Sequence, residues 1–182
     1  MDKLKIGIIG MGRRGDVMIK DCYALREDLD IAWICDTDKE KLEKIESFMN
    51  EKGLTPKTTL DYYDILEDKE IEAVFVLSSW ESHVPIAIEA MKAGKAVGME
   101  VGGAYSIEDC WDLIRTQEKT GAFFMMLENC CYGRREMMTL NMAQRGIFGE
   151  IVHCAGGYRH DLRDQVANGI ELRHYRLRNY LN

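Results

Sequence analysis

The chain has 182 residues, of which 46% are hydrophobic, and a formal net charge of −7. This hydrophobic content is typical of a globular protein with a sizeable core. The negative charge argues against a nucleic acid or an anionic membrane surface as a partner. No apolar run approaches the ~20 residues that crossing a bilayer requires, so we expect no membrane partner.

The first apolar run is followed by a glycine-rich loop. Leu4–Ile9 is short and rich in β-branched residues, which predicts a buried strand. Gly10, Gly12 and Gly15 follow at G-x-G-x-x-G spacing, and a helical pattern begins directly after them. The first glycine permits a tight turn, the second lets the backbone approach a pyrophosphate, and the third lets the helix pack on the strand. The loop therefore predicts a dinucleotide-binding site.

An acidic residue ends the second predicted strand. Leu29–Asp36 is mostly apolar, and its last residue stands at the distance from the glycine loop that dinucleotide-binding folds use. A carboxylate at this place accepts a hydrogen bond from the adenosine ribose 2′-hydroxyl and repels a 2′-phosphate. Asp36 therefore predicts NAD as the cofactor, in preference to NADP. Arg13 and Arg14 are the counter-argument, since a nearby arginine accommodates a 2′-phosphate.

The chain continues as alternating strands and helices. The first helix is predicted to bury one face, formed by Met18, Cys22, Leu25 and Leu29. The later predicted strands are Thr55–Leu60, Ile71–Leu77, Ala96–Met99 and Ala122–Leu127. The helix starts are predicted at a capping box of Thr37 and Glu40, at Asp61, around Pro85 in a first turn, and at Ser106. This alternation predicts an α/β fold with a doubly wound parallel Rossmann sheet of six strands in residues 1–129.

The pattern changes after about residue 130. Gly133 to Arg145 is predicted as a helix whose methionine face, formed by Met137, Met138 and Met142, belongs to a core. Gly149–Tyr158 is predicted as a strand, and a basic, aromatic segment follows it. One helix and one strand cannot bury a second sheet, so residues 130–182 are interpreted as the incomplete start of an α+β domain. The open strand edges predict that residues 159–182 are either poorly fixed or ordered by pairing with another copy, in a homo-oligomer.

The cysteines and histidines carry no metal-binding pattern. None of the six cysteines forms a C-x-x-C pair, and the four histidines lack the spacing of metal ligands. We expect reduced, mostly buried thiols in a cytoplasmic protein and no metal site. The N-terminus leads directly into a predicted core strand, so we expect no signal peptide.

These residues together resemble a known family. The glycine loop, Asp36, Glu100 after the fifth strand and the helix–strand start of a second domain resemble the Gfo/Idh/MocA superfamily of NAD(P)-dependent, mostly sugar-handling oxidoreductases. The resemblance covers essentially the whole chain. Two segments, Glu128–Tyr132 and Gly156–Arg163, resemble more specifically the NAD-dependent α-N-acetylgalactosaminidases among the glycoside hydrolases.

The resemblance implies a set of site residues. Those implied for the cofactor are Gly10, Gly12, Arg13, Gly15, Asp36, Ser79, Trp80, His83, Glu100, Val101 and Asn129. Tyr158 is implied to face the substrate, as the candidate base. The alternative for Tyr158 is an edge-strand aromatic residue that only packs. Glu128 is a second candidate, either catalytic or orienting its neighbours.

One departure from the family pattern bears on the chemistry. Dehydrogenases of the superfamily usually carry Glu-Lys-Pro after the fifth strand, whereas this chain has Glu100, Val101 and Gly102. The glycosidase branch usually has Glu-Val-Pro, so Val101 fits that branch and Gly102 does not.

The implied activity is hydride transfer between NAD and a sugar hydroxyl carbon, either as net oxidation or as a redox-neutral glycosidase. The alternative is a non-catalytic NAD-binding sensor or regulatory module. We expect the 182-residue chain to bind the cofactor without turning over a sugar, because we interpret it as truncated within the second domain.

Overall fold

The computed structural model describes residues 3–157 and 159–167, which fall into two units. The first unit ends at Leu127, and the second begins at Glu128. The predicted strand-and-helix alternation lies in the first unit.

Six parallel strands form the sheet of the first unit. They are β1 (Leu4–Ile9), β2 (Leu29–Cys35), β3 (Lys57–Thr59), β4 (Ala73–Val76), β5 (Ala96–Met99) and β6 (Phe124–Met126). Their spatial order is β3-β2-β1-β4-β5-β6, and each neighbouring pair is parallel. This is the strand order of the Rossmann fold, in which the order reverses between β1 and β4. The predicted fold class is therefore confirmed.

Helices connect these strands. In the first unit they are α1 (Arg13–Asp21), α2 (Lys39–Glu51), α3 (Tyr63–Glu67), α4 (Trp80–Lys92) and α5 (Ile107–Thr120), with a 3₁₀ turn at Tyr23–Leu25. In the second unit the described helices are α6 (Arg134–Gln144) and α7 (Arg163–Ala167).

The hydrophobic core lies on both faces of the sheet. One cluster joins Ile6 and Ile8 of β1 to buried residues of α1 and α2, such as Ile19 and Ile45. The other joins alternate residues of β4 and β5 to α3, α4 and α5. Burial on both faces explains why the central strands are almost continuously apolar, as parallel strands usually are.

The first helix is shorter than its apolar spacing predicts. It ends at Asp21, the chain makes a 3₁₀ turn, and Leu29 already belongs to β2. Leu25 is 66% exposed, whereas Ile19 and Tyr23 are buried. The predicted face is therefore wrong at Leu25, because the backbone leaves the helical region at Cys22.

Three predicted helix starts are also wrong. Helix α3 has its N-cap at Tyr62, not at Asp61, although the Asp61 carboxylate accepts the Tyr63 N–H at 3.0 Å. Asp38, not Thr37, caps α2, because its carboxylate accepts the Glu40 N–H at 3.1 Å. The Asp36 carboxylate accepts the Asp38 N–H at 2.8 Å, which shifts the start of the helix by one residue. Helix α4 begins at Trp80, so Pro85 lies beyond the first turn.

The second unit differs most from its prediction. Residues 151–157 form no strand, since no other described segment pairs with them; Tyr158 lies outside the described residues. Helix α6 has no buried residue, and Met137 and Met138 are 44% and 57% exposed. The predicted methionine core is therefore wrong for the described part of the chain, which holds no layer that covers this face.

The thiols are also more exposed than predicted. Cys35 is buried, Cys22 is half-buried, and the remaining cysteines, Cys110, Cys130, Cys131 and Cys154, are exposed. Burial raises the pKa of the Cys35 thiol to about 12. Among the described residues, no group of three or more histidine, cysteine or acidic side chains is placed to hold a metal ion. None of the described helices has the length and apolar character that a membrane span requires.

Candidate functional site

The glycine loop forms a tight turn after β1. Gly10 has φ +106°, and a Cβ atom built on it would lie 2.5 Å from the Ser78 backbone. A Cβ on Gly15 would collide with the Gly10 carbonyl oxygen. A Cβ on Gly12 would meet nothing within 4 Å, so this residue borders open space. The loop therefore packs closely on its own backbone and on the turn after β4, and leaves room at its middle glycine.

The Asp36 carboxylate connects two turns at this edge of the sheet. Its Oδ2 atom accepts the Met11 N–H at 2.5 Å, and its Oδ1 atom accepts the Asp38 N–H at 2.8 Å. Lys41 Nζ lies 3.7 Å from Oδ1. The side chain is 10% exposed. These contacts fix the carboxylate beside the glycine loop, at the end of β2.

The first turn of α4 carries a buried histidine. His83 is 1% exposed, and its Nε2 lies 2.9 Å from the Ser78 carbonyl oxygen. Because a carbonyl only accepts, Nε2–H is the donor. Nδ1 has no hydrogen-bond partner. Burial lowers the pKa of His83, and the Ser78 and Gly102 backbone and the Glu100 charge oppose this shift.

An ion pair joins the start of α1 to the end of β5. Glu100 is 8% exposed, and its Oε2 atom accepts the Arg14 Nε–H at 3.2 Å. Tyr23 lies in the same region; burial is the main cause that raises its pKa to about 12, with a further contribution from the Glu100 charge. Arg14 is 39% exposed and Arg13 is exposed, so the two adjacent arginines have different environments.

The residues at this edge fit a dinucleotide. Gly12 precedes α1 without a side-chain cap, which leaves the first N–H groups of the helix for an anion such as a pyrophosphate. Each Asp36 oxygen accepts one backbone hydrogen bond, and a carboxylate oxygen has a second lone pair for a ribose hydroxyl. The open space at Gly12, directly before α1, permits close approach of a ligand.

Most of the sequence-predicted site residues lie at one edge. They follow β1, β2, β4 and β5 in the first unit: Gly10, Gly12, Arg13, Gly15, Asp36, Ser79, Trp80, His83, Glu100 and Val101. The carboxyl edge of a parallel sheet at the switch point is where such folds bind ligands. Glu128 and Asn129 belong to the second unit, where the Glu128 carboxylate accepts the Cys130 N–H at 3.1 Å.

Sequence analysis missed the partners of the two carboxylates at this edge. Arg14 was considered only as a cation for a 2′-phosphate, but its guanidinium binds Glu100. The Met11 N–H donates to Asp36, and the identity of the Met11 side chain gives no indication of this backbone contact. The position of Met11 between the first two glycines of the loop was the available indication of that contact.

Comparisons with known proteins agree with this geometry. Residues 4–128 match the Gfo/Idh/MocA family model, described as an oxidoreductase family with an NAD-binding Rossmann fold. Residues 132–176 match the model of the C-terminal domain of glycosyl hydrolase 109.

Curated relatives include a glycosyl hydrolase family 109 protein of Streptomyces filamentosus, 40% identical over 166 residues, and an α-N-acetylgalactosaminidase of Bacteroides fragilis, 39% identical over 164 residues. Each alignment covers 88% of this chain, but only 33% and 38% of the respective relative. The chain therefore spans little more than a third of the length of these relatives.

Solved structures share the fold. A probable dehydrogenase from Thermotoga maritima is 25% identical, with a TM-score of 0.71, over 80% of this chain and 42% of that chain. The scyllo-inositol dehydrogenase of Lactobacillus casei, solved with NAD(H) and scyllo-inositol, is 21% identical, with a TM-score of 0.71, over 82% of this chain and 43% of that chain.

Proposed function

Because the chain belongs to the Gfo/Idh/MocA oxidoreductase family, whose NAD-binding Rossmann fold matches residues 4–128, we propose that it binds NAD at the carboxyl edge of its sheet. We propose further that the site serves hydride transfer at a sugar hydroxyl carbon. The observation that carries the proposal is the Asp36 carboxylate, held by two backbone N–H groups beside a glycine loop that is open at Gly12.

The first half of the sheet is proposed to hold the adenosine and the pyrophosphate. Asp36 would accept the ribose hydroxyls, and Gly10, Gly12, Arg13 and Gly15 would form the pyrophosphate cradle. A 2′-phosphate would meet the Asp36 charge. Arg14, a cation that could offset this repulsion, is paired with Glu100. These contacts support a preference for NAD over NADP.

The second half of the sheet is proposed to hold the nicotinamide and its ribose. Ser79 and Trp80 follow β4, Glu100 and Val101 follow β5, and Asn129 follows β6 in sequence. In the Rossmann fold each half of the sheet binds one mononucleotide, which is the basis of this assignment.

The substrate is proposed to be a sugar or a glycoside. When bound, NAD supplies the acceptor and donor of the hydride. Val101 offers no ammonium group, so a proton at the sugar would be moved by another residue. We propose Tyr158 Oη as that base and Glu128 as a catalytic or orienting carboxylate. A tyrosine has an unperturbed pKa near ~10, so this role would need a nearby cation. The names of the relatives support glycoside cleavage over net oxidation of a free sugar.

Cofactor binding tests the proposal directly. Titration calorimetry of the chain with NAD and NADP should give tighter binding of NAD. Asp36→Asn should weaken NAD binding by about tenfold, the scale of a lost charged hydrogen bond, and should reduce the preference over NADP. Asp38→Asn is the matched control, because asparagine also caps helices well, and NAD binding should be unchanged. Tighter binding of NADP by the unsubstituted chain would contradict the assignment.

Sugar chemistry is tested separately, in a form of the protein that spans the full length of its relatives. Net formation of NADH with candidate sugars would indicate a dehydrogenase. Release of a chromogenic aglycone without net NADH would indicate a glycosidase. NAD binding with neither outcome would favour a sensor or regulatory module and contradict the proposed chemistry.

A further inference from the structure

We infer that His83 is a positioning residue, which acts on the nicotinamide half of the site through the β5–α5 turn and does not touch the cofactor. The inference rests on the proposed function, because it concerns how the second half of that site is shaped. It replaces the direct cofactor contact that the family resemblance implies for His83.

The burial of His83 excludes a direct contact in this arrangement. Its side chain is 1% exposed, and Nε2–H donates to the Ser78 carbonyl, which belongs to the turn between β4 and α4. The hydroxyl of Ser82 donates to the Ser78 hydroxyl at 2.7 Å, so the same turn is held a second time. A bound molecule would reach the imidazole only if the covering backbone moved.

That covering backbone is a pair of glycines after β5. Gly102 has φ +71°, and a Cβ built on it would lie 2.5 Å from the Trp80 indole. A Cβ on Gly103 would lie 2.8 Å from His83 Cβ and 3.1 Å from Nδ1. Trp80 and His83 are three residues apart in α4, so both contact the turn from one face of the helix.

The contact also explains why the family's proline is absent. Proline fixes φ near ~−65°, which the positive φ of Gly102 forbids, and any side chain there would collide with Trp80. The turn therefore packs closely against α4 because Gly102 and Gly103 have no side chains. Glu100 and Val101 directly precede this turn, so the contact with α4 sets where they lie.

The second ring nitrogen of His83 lies on the side of the β5–α5 turn. Nδ1 makes no hydrogen bond and faces the turn at Gly103. His83 holds the β4 side through Nε2 and faces the β5 side through Nδ1, which makes it the link between the two.

The test separates the two halves of the cofactor. NAD probes both halves, whereas ADP probes the adenosine and pyrophosphate part alone. Binding of both ligands is measured by titration calorimetry for the unsubstituted chain, His83→Leu and His83→Gln. Thermal melting of each variant identifies a loss of folding. Leucine removes both ring nitrogens at similar size, whereas the glutamine amide retains a donor for the Ser78 carbonyl.

We expect His83→Leu to weaken NAD binding by about tenfold and to leave ADP binding within twofold. His83→Gln should recover most of the NAD affinity. Equal weakening of NAD and ADP, or unchanged NAD binding in His83→Leu, would overturn the inference. Absence of NAD and ADP binding in the unsubstituted chain would overturn the proposed function, and the inference with it.

Gly102→Ala provides an independent variant that leaves His83 in place. The new methyl group collides with Trp80, so the turn should shift and NAD binding should weaken, again without an effect on ADP. Gly121→Ala is the matched control, because Gly121 has φ +67° and open space around its Cβ position. The control should show the same backbone strain with unchanged binding of NAD. Unchanged NAD binding in Gly102→Ala would contradict the role of the turn.

Discussion

Glu100 is a buried carboxylate whose partner comes from the other half of the sheet. Its ion pair with Arg14 connects the first turn of α1 to the end of β5. Replacing Arg14 with methionine leaves this carboxylate buried without its cation. We expect the free energy of unfolding to fall by about 2 kcal/mol. This is less than the loss for a fully buried ion pair, because Arg14 is partly exposed.

A double variant provides the control for this ion pair. Arg14→Met combined with Glu100→Gln removes the charge together with its partner, so it should be more stable than Arg14→Met alone. Urea unfolding measures Arg14→Met, Glu100→Gln and the double variant. An additive loss in the double variant would show that the pair contributes nothing specific.

His83 predicts a dependence of stability on pH. Burial lowers the pKa of His83 in the folded chain below its ordinary value of 6.5. The unfolded chain therefore binds more protons in acid, and the folded state loses stability as the pH falls through and below about 6.5. Urea unfolding across this range should show the loss in the unsubstituted chain and a smaller one in His83→Gln. Identical pH profiles would contradict the assigned environment.

At the residue scale, local spacing predicts some of these features and misses others. The glycines and Asp36 lie at fixed distances along the chain, so their arrangement is readable from sequence. Arg14 and Glu100 are 86 positions apart, and their contact depends on strand order. The same holds for Gly102, because the Trp80 side chain that leaves no room for a Cβ there belongs to another element, α4.

At the scale of elements, a buried lysine fixes the segment that precedes β4. Lys95 is 4% exposed, and its ammonium donates to the carbonyls of Asp68 and Ile71 at 2.6 and 2.9 Å. Lys95→Met would leave these carbonyls without that donor. We expect a loss of about 1–3 kcal/mol in the free energy of unfolding.

Lys92→Met is the matched control for Lys95. Lys92 is exposed and pairs only with Glu89 among the ion pairs described for it, a contact of small energetic value. Both variants should bind NAD normally, because they lie away from the carboxyl edge of the sheet. Equal stability losses in the two variants, measured by urea unfolding, would contradict the role of Lys95.

Element boundaries were predictable where burial decides them and were not where side-chain hydrogen bonds do. The apolar run of β1 gave its limits, Leu4–Ile9. The start of α2 depends on Asp36 and Asp38, whose contacts the apolar pattern does not contain. Over its described residues, 149–157, the predicted strand is wrong for another reason: a strand requires a partner, and none of the described segments supplies one.

At the scale of the whole molecule, most of the proposed cofactor contacts lie in one unit and the proposed catalytic groups lie after it in the chain. All proposed contacts except Asn129 lie in the first unit, which carries a complete six-stranded sheet. Glu128 lies in the second unit, whose described residues contain helices but no strand, and Tyr158 lies outside the described residues. We therefore expect this chain to bind NAD without turning over a sugar.

Two measurements check this expectation on the same preparation, with its mass confirmed. Calorimetry reports NAD binding, and absorbance reports NADH formation and aglycone release from sugar substrates. Turnover by the 182-residue chain would contradict the expectation, and would place the necessary groups within these residues.

The contacts of Asp36 have a consequence for how cofactor preference can change during evolution or engineering. Its carboxylate would select the cofactor, and it also holds the backbone of the glycine loop and of the turn before α2. A single replacement that admits a phosphorylated cofactor therefore removes the acceptor of two N–H groups at once. Cofactor preference and the structure of the glycine loop therefore depend on the same side chain. A viable exchange would begin at neighbours such as Lys41, and would reach Asp36 only after another acceptor had taken over the loop.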